Sequence, residues 1–206
     1  MGRIITLSDY EFTLCKLFSE ESAKTQQAIE FGNREDAERS VREIARDNMI
    51  GKMAEVAVSR MIYLDFKRKF PVNYDVYPID DCDVCDIEVN GWKLDIKSTR
   101  KGHYLMFETR KMAFRASSGT MPDVIVMCRT PWDEEKDQPS SKTVDIVGCV
   151  SAYKLSRIEN VVRKGDCIPG TECRTQAENY VMAFEQLSDF HNAVEFMLNN
   201  KRTDGG

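Results

Sequence analysis

The chain has 206 residues, 42% of them hydrophobic and 31% charged; at about 150 residues per domain this is one domain's worth of sequence with enough apolar material for a core, which excludes bulk disorder. Lys and Arg total 29 against 34 Asp and Glu, a net charge of -5, so the molecule is no general polycation and any polyanion must meet a local patch. Seven cysteines, behind a first segment MGRIITLSDYEF without the basic and apolar regions of a secretory leader, imply a reducing cytoplasm, of a cell or of an infected host cell, and no run approaches the ~20 apolar residues of a membrane helix.

The expected architecture is α/β: a mixed central sheet of four to five strands flanked by helices. A single domain spans 1–200, with a helical N-terminal part (1–48), a central core (49–158) and a C-terminal helical part (159–200), before a disordered tail (201–206). In chain order, Ser8 with Glu11 has the form of a capping box, Phe12, Leu14, Leu17, Phe18 and Ile29 follow, and Gly32 is a natural helix stop. Asn33 is placed to cap a second helix through Val41, Ile44 and Ala45, and 49–66 is a third helical run that Pro71 closes. The texture then changes. DIEVNGWKLDIK alternates strictly around Asn90-Gly91, a two-residue hairpin signal. DVIVMC (123–128) and TVDIVGCV (143–150) read as further strands separated by a polar loop (131–142). The sequence continues with a short helix (151–158), a loop (166–173) and a helix over 175–198.

A two-residue turn at Asn90-Gly91 pairs Val89 with Trp92, Glu88 with Lys93, Ile87 with Leu94 and Asp86 with Asp95. One face is then apolar, and the other carries Asp86, Glu88, Lys93, Asp95 and Lys97. Glu88 opposite Lys93 is favourable; Asp86 opposite Asp95 sets like charges side by side and calls for a neutralising partner. A divalent cation is such a partner, since Mg²⁺ takes one or two carboxylates plus waters and phosphate. One carboxyl of the pair is expected to have a raised pKa, and Asp95→Asn to relieve the strain. Lys97 projects beside Asp95 on the same face. Glu55 interrupts the apolar series Met53, Ala54, Val56, Ala57, Val58 and needs a partner of its own, for which the metal is a candidate.

Gly51-Lys52-Met53-Ala54-Glu55 on a helix, then Asp86, a hairpin, and Asp95-Ile96-Lys97 resemble the PD-(D/E)xK nuclease superfamily, which includes restriction endonucleases, RecB-like nucleases and Holliday-junction resolvases. The similarity covers roughly residues 51–155, with DVIVMC and IVGCVSAYKL in the places of that family's later core strands. It implies a restriction-endonuclease-like core and a Mg²⁺-dependent deoxyribonuclease, with Mn²⁺ able to substitute and an endonuclease favoured. Carried over, Glu55, Asp86, Asp95 and Lys97 are the catalytic residues, and Glu55, Asp86 and Asp95 the metal ligands. The sequence departs from the family pattern in having Cys85 rather than proline before Asp86. Asp80, Asp81 and Asp83 are rival first ligands, and parity across the hairpin favours Asp86. Many relatives act as dimers, so a homodimer is left open, without a dimer signal in this sequence.

After the hairpin, Lys97, Arg100, Lys101, Arg110, Lys111 and Arg115 face a single acid, Glu108, with His103, Tyr104, Phe107 and Phe114 interleaved. The strip suits phosphate contacts and base stacking on DNA. Ser98 and Thr99 are candidate neutral phosphate ligands, and Lys52 joins the DNA-contacting set. Cys82, Cys85, Cys167 and Cys173 are either a metal-thiolate site or, as favoured here, separate inert thiols, while Cys15, Cys128 and Cys149 read as core. Gln176 and Tyr180 match a RecB-like QxxxY element but follow the lysine at too great a distance, and Gly148 reads as a strand glycine. The alternative from another class is a nucleic-acid-binding module that keeps the fold without cutting; a third is a cysteine-ligated regulatory domain.

Overall fold

The structure, a computed structural model, describes residues 2–28, 40–76, 85–172 and 174–202. Gly32, Asn33, Asp80, Asp81, Cys82, Asp83 and Cys173 lie outside them. The fold is α/β around a mixed five-stranded sheet.

Strand β1 (Arg3–Thr6) opens the fold where the sequence leads one to expect a helical segment. It pairs antiparallel with the far downstream strand β8 (Thr143–Ser151), Ile5 lying opposite Val144. Four residues carry too little periodicity to announce a strand whose partner is so remote. Helix α1 (Asp9–Ala28) starts at the expected box: the Ser8 N–H donates to Glu11 Oε2 at 2.7 Å and the Glu11 N–H to Ser8 Oγ at 3.3 Å. Helix α2 (Val41–Phe66) is one helix of 26 residues rather than two, begun by a second capping box, Ser40 with Glu43. The polar run ahead of residue 49 is only its wet face. Gly51 sits inside the helix, a cost of about 1 kcal/mol against alanine that the buried stripe from Ile44 to Ile62 outweighs.

Strands β2 (Ile87–Val89) and β3 (Trp92–Thr99) form the hairpin in the expected register, Val89↔Trp92, Glu88↔Lys93 and Ile87↔Leu94, around Asn90 and Gly91, both at positive φ. The chain then crosses through β4 (Tyr104–Glu108) and α3 (Thr109–Ser117) to β5 (Val124–Arg129), which runs parallel to β3, as a crossover of this length allows. The sheet order is β1-β8-β5-β3-β2. The loop between β5 and β8 contains a small hairpin, β6 (Trp132–Asp133) with β7 (Gln138–Pro139).

Helix α4 (Ala152–Leu155) follows β8, and β9 (Val161–Val162) comes after it. The expected C-terminal helix over 175–198 is instead strand β10 (Asn179–Ala183), a 3₁₀ turn (Phe184–Gln186) and helix α5 (Phe190–Asn199). Tyr180 is therefore a strand residue. β10 inserts between β4 and β9, Asn179 opposite Glu108 and Tyr180 opposite Phe107, and this pairing overrides the helical spacing. Asp189 restarts the chain as a helix by capping the Asn192 N–H at 3.1 Å.

Both sheet faces are covered. Along β5, Val126 and Cys128 point into the core shared with α1, α2 and α5, while Ile125 and Met127 point into a second core with β4, α3, α4 and β10. On β3, Leu94 and Ile96 join the first core. Its charged side chains therefore emerge toward α3 and β4. Among the described residues no helix is long and apolar enough to cross a membrane.

Candidate active site

Asp95 and Lys97 stand two residues apart on β3, and a period of two places them on the same face. Asp95 is only 2% exposed. An isolated carboxylate at that depth is costly, and two cations compensate it. Arg115 Nη1, reaching down from α3, lies 2.7 Å from Oδ1, and Lys97 Nζ lies 2.7 Å from Oδ2. Burial pushes the Asp95 carboxyl up, but Lys97 and Arg115 beside it bring it below its ordinary value. Each oxygen of the carboxylate thus faces its own cation, Oδ1 the guanidinium and Oδ2 the ammonium.

Asp86 precedes β2. Its N–H donates to the Leu94 carbonyl at 3.0 Å, and its Oδ2 accepts the Ile96 N–H at 2.5 Å. The carboxylate thus takes a backbone donor at the point where the ladder ends. Burial and the charge of Asp95 push the Asp86 carboxyl above its ordinary value, against the pull of the Ile96 N–H and of Lys97 and Lys52. One carboxyl of the pair is raised, as expected, and it is Asp86. The partner sought for Asp95 is Arg115 together with Lys97, which overturns the expectation that Asp95→Asn relieves strain.

Glu55, on α2, has its partner one turn away: Lys52 Nζ lies 2.6 Å from Glu55 Oε2. The same ammonium donates to the Asn73 carbonyl at 2.8 Å and sits 4.3 Å from the centre of the Phe18 ring. Lys52 is 7% exposed, so the expectation of a DNA contact fails for it; the spacing three residues before Glu55 is the signal the sequence offers. Among the described residues no three His, Cys, Asp or Glu side chains converge on one metal position. Hard oxygen ligands are nevertheless present as a pair, Asp86 and Asp95, which suits a divalent cation that needs only one or two carboxylates; at Asp95 the cation would share the carboxylate with Lys97 and Arg115.

Beyond the carboxyl end of β3 opens a cleft of about 730 Å³. Lys97, Ser98, Thr99 and Arg100 line it from β3 and the turn after it, Asp47 and Gly51 from α2, Lys111 and Arg115 from α3, and Glu108 and Asn179 from β4 and β10. Asn179 carries no signal in the sequence, because only the pairing of β10 with β4 brings it here. Ser98 Oγ lies 3.1 Å from Thr130 Oγ1, and Thr99 Oγ1 donates to the Lys101 carbonyl.

The basic strip is divided by its partners. Arg100 makes a two-pronged contact with Glu134 at 2.8 and 2.9 Å, and Lys101 Nζ lies 3.2 Å from the same carboxylate. Arg110 and Lys111 are exposed, Lys111 with a loose contact to Glu108 at 3.5 Å. Phe107 is buried, with Lys97 Nζ 5.5 Å from its ring centre, and does not meet a base; Phe114 is exposed. The buried thiols behave as core: burial pushes Cys15 and Cys149 up to about 12, and Cys128 up as well. Cys85 is half-buried and Cys167 exposed.

Comparison with protein-family models, with curated proteins and with solved structures finds no match.

Proposed function

We propose that the chain is a metal-dependent DNA nuclease of the PD-(D/E)xK kind, with a restriction-endonuclease-like core running from α2 through the hairpin and α3 to β5. The observation that carries the reading is the Asp95–Lys97 pair, whose lysine lines an open cleft while Asp95 lies buried behind it, with a second carboxylate, Asp86, close enough for the Asp95 charge to act on it. The order of parts supports it: a helix with Glu55, a hairpin with Asp86 and Asp95, and a helical crossover to a parallel strand.

When bound, Mg²⁺, or Mn²⁺ in its place, supplies the positive charge that polarises a scissile phosphate and makes water a nucleophile. Asp86 and Asp95 would hold it, with Glu55 as the third carboxylate that the resemblance implies. Lys97, whose side chain is 39% exposed, reaches the cleft and orients the attacking water or balances the charge gathering on the phosphate. Arg115 and Lys111 border the same cleft and hold the phosphates on either side. Attack in line with the 3′ oxygen leaves a 5′-phosphate, as the resemblance implies. Endonucleolytic cutting is favoured.

A second reading, a nucleic-acid-binding module that does not cut, is favoured by one contact: the Arg115–Asp95 ion pair neutralises the carboxylate without a metal. Incubation with supercoiled circular DNA separates the two. The nuclease nicks circles in Mg²⁺ or Mn²⁺ and not in chelator; the module retards them and leaves them intact under both conditions.

A further inference from the structure

Helix α3 carries more than cleft-lining cations. Its single buried side chain among the described residues is Met112. Lys111 and Arg115, four residues apart, share the face that borders the cleft. Phe114 stands three residues beyond Lys111 and four beyond Arg110, so it is a surface neighbour of both. It is 69% exposed, an aromatic ring in water on the same helix surface as two cations.

A lone exposed apolar side chain needs no explanation. Here the surroundings select its occupant. Arg110 has no carboxylate partner among the described residues, and Lys111 has only the loose contact with Glu108. A protein surface would have to bring acids to both sides of the ring. A nucleic-acid strand brings phosphates and flat π-faces together at each nucleotide, and base–aromatic stacking is indifferent to sequence.

The cleft that Lys111 and Arg115 line on the same helix has the volume of a small-ligand pocket, within the range of about 300–1,000 Å³. Such a space admits a single strand or a splayed nucleotide and does not enclose a double helix. Lys97, Lys111 and Arg115 line it together with Asp47 and Glu108, and the phosphates are left to the three cations.

We infer that α3 is the docking helix for a single-stranded DNA segment: one base stacks on Phe114 while Arg110 and Lys111 hold the adjoining phosphates and lead the strand to Lys97. The inference deepens the nuclease reading by naming the substrate class, and rests on it only for the role of Lys97.

Binding is measured in chelator, so that cutting plays no part, with a single-stranded oligonucleotide carrying 2-aminopurine and with a duplex of the same sequence. Wild-type protein binds the single strand more tightly and quenches the fluorescent base by stacking. Phe114→Ala weakens single-strand binding about five- to a hundredfold and abolishes the quenching, while Phe114→Tyr retains both. Duplex binding changes less than twofold in either variant. Because Phe114 is exposed, neither substitution opens the core. Single-strand binding by Phe114→Ala at wild-type strength, or equal weakening on both DNAs, overturns the inference; if the wild type still nicks circles in metal, the nuclease reading survives that failure. A wild type that binds neither DNA removes both.

Discussion

The Ile96 N–H donates to Asp86 Oδ2 at 2.5 Å, just beyond the last ladder pair of β2 and β3, Ile87 with Leu94. A side chain therefore closes an edge that the backbone leaves open, and does so with a carboxyl that burial and Asp95 push toward its neutral form. Asp86 is at once a cap on β3 and the member of the pair whose ionisation is disfavoured.

Two substitutions at Asp86 separate those roles. Asp86→Asn keeps an oxygen for the Ile96 N–H and removes the repulsion from Asp95, so in chelator its stability equals or exceeds that of the wild type. Asp86→Ala leaves a buried N–H unpaired and lowers stability by about 1–3 kcal/mol. Urea denaturation of the three proteins checks the order; an alanine variant as stable as the wild type would show that Asp86 does not cap the strand.

Asp95 titrates with the opposite sign. Its folded pKa lies below the ordinary value, so its contribution to stability is fully present above the unfolded value of about 3.9 and is lost as pH falls through the lower folded value. The raised Asp86 lends stability in acid that fades as pH rises through its folded value. Asp95→Asn strips Arg115 and Lys97 of their partner and costs about 1–3 kcal/mol near neutrality, discounted for the partial exposure of both cations. Urea midpoints from pH 2 to 7 should show the gap between wild type and variant closing below about pH 4. A gap independent of pH would mean that the Asp95 charge contributes nothing.

How much of this fold is legible in the sequence depends on the range of each interaction. The Asn90-Gly91 turn and strict alternation set the β2–β3 register, and parity places Asp86, Asp95 and Lys97 together, because hairpin geometry is local. The Lys52–Glu55 pair is equally local and is readable as three-residue helical spacing. Arg115 reads in the sequence as a phosphate ligand; its grip on Asp95 depends on how the β3–β5 crossover folds α3 back over the sheet, which no spacing encodes. β1 and β10 are hidden for the same reason, since each is a strand through a partner distant in sequence.

Gly148 illustrates a strand glycine whose reason is purely spatial. A Cβ there would stand 2.7 Å from the Ser188 carbonyl oxygen and 2.9 Å from Leu187 Cβ, next to the bridge in which Cys149 and Ser188 exchange backbone hydrogen bonds at 2.9 and 2.8 Å. Gly148→Ala should lower stability by about 1–3 kcal/mol. A melting temperature equal to the wild type's would show that this approach yields freely.

The division of the basic strip predicts unequal salt effects. Arg110 and Lys111 are exposed and loosely held, whereas Arg100 and Lys101 are engaged with Glu134. Alanine at both 110 and 111 should reduce the slope of log K against log salt on single strands by about 0.7 for each phosphate no longer neutralised. Alanine at both 100 and 101 should reduce it less. Fluorescence anisotropy titrations across salt concentrations measure both slopes, and the reverse order would place the DNA path along the β3–β4 turn instead.

The central claim is that Asp86, Asp95 and Lys97 form a metal-dependent hydrolytic centre, and nicking of supercoiled circular DNA by wild type and Lys97→Ala tests it most directly. Both proteins are first shown to bind the circle equally in chelator, and Mg²⁺ or Mn²⁺ is then added. The wild type should nick only with metal, and Lys97→Ala should be slower by about a hundredfold or more. Cutting by Lys97→Ala at the wild-type rate, or failure of the wild type to cut either supercoiled or single-stranded circular DNA in either metal, would contradict it.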